Sequence, residues 1–132
     1  MTALKSRESV IRWALVMGAL AGLLAVMAGA FGAHGLRQVV SARGLEVFQT
    51  GVSYQMYHAL ILIAAGLMPV LGLSRRLLTV ACAFWLAGIV LFSGSLYLLV
   101  LSGHHWLGPV TPVGGVCFMI GWALLVAAAL TK

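Results

Sequence analysis

The sequence predicts an all-α integral membrane protein, in which four transmembrane helices form a single bundle over residues 1–132. Two observations support this fold class. Hydrophobic residues make up 63% of the chain and charged residues only 8%, whereas a soluble domain carries about 25% charged residues. The apolar residues also fall into four windows, each close to the roughly 20 residues that a helix needs to cross a bilayer.

The four predicted spans cover residues 13–33, 54–73, 77–101 and 110–130. Basic residues precede the first span, and Ala28, Gly29 and Ala30 resemble a signal-peptide cleavage site. The apolar core of this span is much longer than the roughly 7–15 residues of a signal peptide, so a membrane helix is the favoured interpretation. A soluble helical domain is disfavoured, because so few charges would leave a large apolar surface in water.

Basic residues indicate the orientation, because they concentrate on the cytoplasmic side of a membrane. With the N-terminus inside, only Arg37 and Arg43 lie on the outer side. The inner side then holds Lys5, Arg7, Arg12, Arg75, Arg76 and Lys132. The sequence therefore predicts that both termini are cytoplasmic. Nucleic-acid binding is disfavoured, because these residues form no basic face with interleaved aromatic residues.

The connection between the first and second spans is predicted to be partly helical. Ser41 suits the N-cap position, and a helix that begins near Ala42 would run into the second span without a break. The first turns of this helix are expected to form an extension at the outer membrane interface. Arg43 and Glu46 lie three residues apart there and are predicted to pair on the helix surface.

Small residues are predicted to form the helix contacts, since close approach of backbones drives helix association in lipid. In the first span Ala21, Ala25, Gly29 and Ala33 recur at intervals of four residues, and further glycines mark the third and fourth spans. Packing within the bundle is the expected role of these stripes. A homo-oligomer that forms through the small-residue faces is the alternative that the sequence leaves open.

Polar residues gather in the outer third of the predicted membrane, around the segment YQMYH at residues 54–58. The predicted polar cluster consists of His34, Glu46, Thr50, Tyr54, Gln55, His58, Ser93, Ser95 and Tyr97. The four residues at 46, 50, 54 and 58 form a stripe along one helix. Because a polar group that faces lipid is costly, this stripe is expected to face the bundle, toward His34 and residues 93–95.

Two interpretations of the cluster are compatible with these residue types. In the first, the hydroxyl, amide and imidazole groups bond to one another and hold the helices in register. In the second, the cluster lines a shallow pocket for a small molecule, a lipid headgroup, an ion or a metal. His58 is then the strongest candidate, because ionisable residues inside membranes are usually functional. Haem ligation by His34 and His58 belongs to this second interpretation.

The remaining reactive residues do not form a convincing site. His104 and His105 lack the spacing that is typical of metal ligands, and no metal site is predicted. Cys82 and Cys117 are expected to differ in depth by roughly 20 Å, which excludes a disulfide.

Catalysis and transport are also disfavoured by the sequence. It contains no hydrolase or metalloprotease motif, so an enzyme would have to use an unsupported His–Ser dyad. A proton-coupled transporter is disfavoured because no carboxylate lies within a span.

Four ordered motifs carry a family resemblance. They are GAFGAHG at residues 29–35, FQTGVSYQMYHAL at 48–60, FSGSLY at 92–97, and TPVGG at 111–115 followed by Gly121 and Trp122. In this order they resemble the YgdD-like family of small four-span inner-membrane proteins, a family of unknown function. At residues 42–44 the chain departs from the pattern, where such proteins often carry a Pro and a Glu, so a capping box is not formed.

The resemblance implies a four-helix membrane fold and an inner-membrane location, and it implies no activity, cofactor or catalytic residue. The predicted function is that of an inner-membrane protein with an accessory or structural role, which is surrounded by lipid and acts through unidentified protein partners or through lipid. One alternative is a protein that binds a small ligand, a metal or haem through His34 and His58. A small transporter is the further alternative.

Overall fold

The computed structural model describes residues 9–131, and most of this range is helical. The chain forms the helices α1 (Arg12–His34), α2 (Ala42–Leu67), α3 (Arg75–Gly88), α4 (Gly94–Ser102) and α5 (Val110–Leu130). A π-helical segment, Ile89–Ser93, joins α3 to α4. A 3-10 segment, Met68–Leu71, extends α2.

Four stretches of continuous helix are long and apolar enough to span a membrane: Arg12–Gln38, Ala42–Leu71, Arg75–Ser102 and His105–Leu130. The all-helical architecture with four membrane-spanning helices is therefore confirmed. The second helix starts well before the predicted span at residue 54, because the expected helix near Ala42 forms and continues without a break.

Side-chain caps determine where two of the helices begin. The hydroxyl oxygen of Ser41 accepts a hydrogen bond of 3.0 Å from the amide of Gly44, which confirms the predicted N-cap of α2. Ser74 caps α3 in the same way, by accepting a hydrogen bond from the amide of Leu77. Gly72 adopts a φ of 95° in the turn before it, a conformation that favours glycine.

The predicted ion pair on α2 is also present. Arg43 and Glu46 approach to 3.5 Å, and their side chains are 81% and 73% exposed. Ion pairs with this exposure contribute little to stability. The pair therefore marks the polar start of α2 more than it stabilises the helix.

Helices α1 and α2 pack closely through the small residues of α1. A Cβ atom at Gly18 would lie 2.9 Å from the carbonyl oxygen of Ala59, and one at Gly32 would lie 2.6 Å from Nε2 of Gln49. Of the predicted stripe, Ala25 is completely buried, whereas Ala33 is exposed. A larger side chain at Gly18 would push the two helices apart, because it would meet the backbone of Ala59.

The π-helical segment packs against α5 at backbone distance. Gly114 of α5 lies directly against backbone atoms of Leu91 and Phe92, so that no space remains for a Cβ atom. Two turns further along α5, Gly121 makes room for the indole ring of Trp85. The glycines of the fourth span are therefore used to bring α5 against the third span.

Helix α2 lies between these two packed pairs and contacts both α1 and the third span. The interior contains completely buried apolar side chains from several helices, among them Leu62, Leu78 and Trp85. The glycine contacts described above all form within one chain. These contacts agree with the expected role of small residues in packing within the bundle, and a homo-oligomer through the small-residue faces stays a prediction.

Gly114→Ala is expected to lower the thermal stability of the purified protein. The added methyl group would overlap the backbone of Leu91 and Phe92, which cannot move aside like the end of a flexible side chain. Overpacking of this kind costs about 1–3 kcal/mol. The melting temperature in detergent, followed by tryptophan fluorescence, measures the effect.

Gly94→Ala is the matched control for this substitution, because no atom lies within 4 Å of the position that its Cβ would occupy. Alanine also has the higher helix propensity, so this variant is expected to melt at the same temperature as the wild type or slightly above it. Equal destabilisation by both substitutions would contradict the close contact at Gly114.

Candidate functional site

Among the residues that the structure describes, four polar side chains are buried in the bundle: Gln55, His58, Ser93 and Ser95. All four belong to the predicted cluster, and each is at most 5% exposed. Each also has a hydrogen-bond partner on another membrane span. These residues define the interior polar network.

Gln55 connects three helices through its amide group. Its Nε2 donates a hydrogen bond of 2.8 Å to the carbonyl oxygen of Ala21 on α1. Its Oε1 accepts a hydrogen bond of 2.6 Å from the phenol of Tyr97 on α4. Gly51, one turn earlier on α2, leaves space for the ring of Tyr97, since a Cβ atom there would lie 2.8 Å from Cε1. The small residue and the amide together position the tyrosine.

Two serines connect the end of the π-helical segment to its neighbours. The hydroxyl of Ser93 is completely buried and donates a hydrogen bond of 2.6 Å to the carbonyl oxygen of Gly51. The hydroxyl of Ser95 donates to the carbonyl oxygen of Phe92 at 2.9 Å and lies 2.5 Å from the hydroxyl of Thr111. Because Ser95 has one proton and a carbonyl can only accept, Thr111 must be the donor to Ser95.

His58 uses both of its ring nitrogens. Nε2 lies 3.1 Å from the indole nitrogen of Trp122, and Nδ1 lies 2.7 Å from the carbonyl oxygen of Tyr54. An indole nitrogen is only a donor, so Nε2 accepts and Nδ1 carries the proton that is donated to Tyr54. The imidazole also stacks on the ring of Phe118, with ring centroids 3.6 Å apart. Neither nitrogen is free to bind a metal while these bonds are intact.

The other predicted members of the cluster are placed differently. His34, Glu46, Thr50 and Tyr54 are exposed, so the expectation that the whole stripe faces the bundle is wrong. Each four-residue step turns by about 40° around a helix, and three such steps carry Glu46 about 120° away from His58. The buried face of α2 instead follows spacings of three and four residues, at Phe48, Gly51, Gln55, His58, Ala59, Leu62, Ala65 and Gly66.

The structure does not bring His34 beside His58. Gly32, near the end of α1, lies beside Gln49 of α2. His58 lies a further nine residues along α2 (58 minus 49), which corresponds to roughly 14 Å. The two histidines therefore belong to different levels of the bundle.

A groove on the outside of α2 carries a second set of polar groups. It has a volume of about 550 Å³ and is lined by Ala42, Leu45, Glu46, Gln49, Thr50, Ser53, Tyr54 and Tyr57. We call it the α2 groove. Within residues 9–131, the side-chain polar groups of Gln49, Ser53, Tyr54 and Tyr57 have no hydrogen-bond partner. Of the exposed members of the predicted cluster on α2, Thr50 bonds to the carbonyl oxygen of Glu46, and Glu46 pairs with Arg43. The unpaired side chains of the groove are therefore Tyr54 and three residues that were not in that cluster.

Trp122, Thr111 and Phe118 complete the interior network, and the sequence analysis did not assign them to it. Trp122 is 42% exposed, but its indole nitrogen is a polar group on an otherwise apolar helix, and such a group usually has a hydrogen-bond partner. That expectation could have linked Trp122 to His58. It does not hold for Trp85, whose buried indole nitrogen has no partner among the described residues.

The remaining candidates stay separate from both sets. His104 and His105 are exposed in the loop before α5. Cys82 is buried and Cys117 is half-buried, and both are free thiols. No group of three residues that could hold a metal ion occurs between residues 9 and 131.

Comparisons with known proteins identify relatives of this chain. The profile of the family "Protein of unknown function (DUF423)" matches residues 28–115. UPF0382 membrane protein YwdK of Bacillus subtilis is 49% identical over 120 residues, which are 87% of this chain and 94% of the relative. UPF0382 membrane protein SAB0533 of Staphylococcus aureus is 46% identical over 116 residues, which are 86% of this chain and 92% of the relative.

A UPF0382 membrane protein of Haemophilus influenzae is more distant, with 39% identity over 111 residues, or 84% of this chain and 88% of the relative. No solved structure matches the chain. Together with the four long apolar helices, these relatives identify an integral membrane protein whose molecular activity is unknown.

Tyr97→Phe is expected to destabilise the protein, because it removes the donor that satisfies Oε1 of Gln55. A hydrogen bond between membrane helices contributes about 0.6–1.7 kcal/mol. Tyr57→Phe is the control, since this phenol is 58% exposed and has no partner among the described residues. Melting temperatures of both variants in the same detergent measure the difference.

A double-mutant cycle with Gln55→Leu tests whether the loss comes from this contact. The effects of Tyr97→Phe and Gln55→Leu are expected to be less than additive, because either change alone breaks the bond. Strictly additive effects, or equal effects of Tyr97→Phe and Tyr57→Phe, would contradict the assigned hydrogen bond.

Proposed function

This chain belongs to the DUF423 family of proteins of unknown function, and we propose that it is an accessory membrane protein that binds lipid at the α2 groove. The contrast between the two sets of polar residues carries the proposal. The interior polar groups are satisfied within the chain, whereas Gln49, Ser53, Tyr54 and Tyr57 are polar, accessible and unpaired among the described residues.

The interior network supports a structural role and not a catalytic one. The hydroxyl of Ser93 donates to a backbone carbonyl, and His58 bonds to Tyr54 and Trp122. Neither serine is hydrogen-bonded to the imidazole that would have to activate it as a nucleophile. A non-enzymatic function therefore accounts for every bond in the network.

Helix length and charge support the position of the α2 groove at the outer face of an inner membrane. The stretch Ala42–Leu71 has 30 residues, about ten more than the hydrocarbon core requires. Arg75 and Arg76 follow the end of this stretch and favour the cytoplasmic side for it. Counting about 20 residues back from Leu71 puts the outer hydrocarbon boundary near Val52. Both termini are then cytoplasmic, and the first turns of α2 are the interfacial extension.

At this depth the α2 groove crosses from the headgroups into the acyl chains. Glu46 and Gln49 lie at the level of the headgroups, and Tyr54 and Tyr57 lie at the top of the hydrocarbon region. Tyrosines are enriched at that boundary because their rings are apolar and their hydroxyls are polar. A bound phospholipid can satisfy both halves of the groove, whereas plain hydrocarbon would leave its polar groups unpaired.

The other predicted functions have less support. Ligation of a metal or haem by His34 and His58 needs both residues at one site. His34 at the end of α1 and His58 on α2 instead lie at different depths in the bundle. A proton-coupled transporter needs a carboxylate within a span, and Glu46 is exposed in the first turns of α2. The four ordered motifs also favour membership of the YgdD-like family of small inner-membrane proteins, a resemblance that implies no activity.

Native mass spectrometry of the detergent-purified protein separates binding at the groove from structural pairing in the interior. The variant Ser53→Leu is expected to retain fewer phospholipid molecules and to melt near the wild-type temperature. His58→Ala is expected to retain lipid and to melt lower, because it leaves the indole of Trp122 without its acceptor. Lipid loss in His58→Ala alone would make the interior network the binding site and would reject the proposal.

Cysteine labelling in right-side-out vesicles tests the proposed orientation. In a background without Cys82 and Cys117, a membrane-impermeant maleimide is expected to label His104→Cys and not Leu71→Cys. His104 follows the end of the third span, Leu71 ends the second span, and both residues are exposed. The two positions are expected on opposite sides of the membrane, so each serves as the control for the other. The reverse labelling pattern would place both termini outside.

A further inference from the structure

We propose that the α2 groove selects a zwitterionic phospholipid whose headgroup ends in a primary ammonium, and that Glu46 receives this cation. The inference rests on the proposed lipid-binding role and adds the identity of the headgroup. It follows from the charge, the order and the depth of the side chains that line the groove.

The charge of the groove is opposite to that of the chain. The protein has 8 basic and 2 acidic residues, and Glu46 is the only carboxylate between residues 9 and 131. It lines the α2 groove and also a neighbouring groove of about 330 Å³ that includes Thr111. A carboxylate attracts an ammonium group and repels a phosphate. An anionic headgroup would therefore gain less in this groove than a headgroup that carries a terminal cation.

The ion pair on α2 can open to admit such a headgroup. Arg43 and Glu46 are 3.5 Å apart and are both largely exposed, so solvent competes with their contact and little is lost when it breaks. A zwitterionic headgroup carries a partner for each member of this pair, an ammonium for the carboxylate and a phosphate for the guanidinium. The ammonium replaces Arg43 at the carboxylate, and the lipid phosphate can accept hydrogen bonds from the released guanidinium.

The order of groups along α2 matches the order of groups in a phospholipid. Glu46, Gln49, Ser53 and Tyr57 follow one face of the helix. Relative to Glu46, Gln49 lies about 4.5 Å and Ser53 about 10 Å further along the helix. In a bilayer the ammonium lies outermost and is followed by the phosphate, the ester groups and the acyl chains.

The donors in the groove suit the oxygens of that lipid. Nε2 of Gln49 and the hydroxyl of Ser53 have no hydrogen-bond partner among residues 9–131. Both can donate to phosphate or ester oxygens at their level. The rings of Tyr54 and Tyr57, with centroids 5.7 Å apart, provide an apolar surface where the acyl chains begin. Along α2 the groove thus offers first an acceptor, then two donors and finally an apolar surface. This order matches the ammonium, the phosphate and ester oxygens, and the acyl chains of the lipid.

The experiment measures lipid retention by native mass spectrometry with two synthetic phospholipids of identical acyl chains. One has an ethanolamine headgroup and the other a glycerol headgroup, and they are supplied in equal amounts to delipidated protein. The wild type is expected to retain the ethanolamine lipid about twofold to fivefold more than the glycerol lipid, as an ion pair at a largely exposed carboxylate permits. Glu46→Gln is expected to retain lipid without this preference.

Arg37→Gln is the matched control, because it also neutralises a single exposed charge near the outer end of the bundle and lies outside the groove. It is expected to keep the wild-type preference. Glu46→Gln is expected to melt like the wild type, since the carboxylate is 73% exposed. A preference that survives Glu46→Gln, or equal retention of both lipids by the wild type, would overturn the inference and leave the lipid-binding role intact.

Two further outcomes would reject the lipid-binding role together with the inference. One is a wild-type protein that retains neither lipid. The other is a lipid-free dimer that the substitution Ser53→Leu converts to monomer, because a second copy would then occupy the groove. The lipid-retention experiment thus distinguishes failure of the headgroup assignment from failure of the binding role.

Discussion

The hydrocarbon core of a bilayer offers no hydrogen-bond partner, so the buried side-chain polar groups of residues 9–131 pair within the chain, except for the indole nitrogen of Trp85. The amide of Gln55 meets this requirement across three helices. It bonds to a backbone carbonyl of α1 and to the phenol of Tyr97 on α4. The rest of the arrangement depends on that connection. The α1–α2 pair and the third span can approach only where the groups on both sides of Gln55 are satisfied.

The π-helical segment makes the third span able to serve two neighbours. On the α3 side, Trp85 faces α5, where Gly121 leaves space for its indole ring. From the last residue of the π-helical segment onward, Ser93 and Tyr97 face α2. A π-helical turn holds more residues than an α-helical turn, so it rotates the face that follows. The bonds of Ser93 and Tyr97 to α2 agree with this rotation, while Ser95 keeps a bond to α5.

The bundle separates two tasks that the sequence presents together in residues 46–58. The side chains that turn inward hold helices in register, and those that turn outward remain available to the surroundings. Tyr54 illustrates how closely the two sets are connected. Its backbone carbonyl fixes the tautomer of His58, while its ring is 41% exposed and lines the α2 groove. A ligand that contacts Tyr54 in the groove would therefore lie beside Gln55 of the interior network in the chain, without contacting that network.

The sequence by itself determined the features that depend on composition or on neighbours along the chain. Four apolar windows specify four spans, Ser41 specifies the start of α2, and Arg43 is in reach of Glu46 because residues three apart adjoin on a helix. Only the tertiary structure decided which members of the polar cluster are buried. A helix turns by about 100° per residue, and the packing of neighbouring helices determines which of its faces is covered. For the same reason the tertiary structure alone paired His58 with Trp122, which lies 64 residues away in the sequence, and placed His34 at a different level.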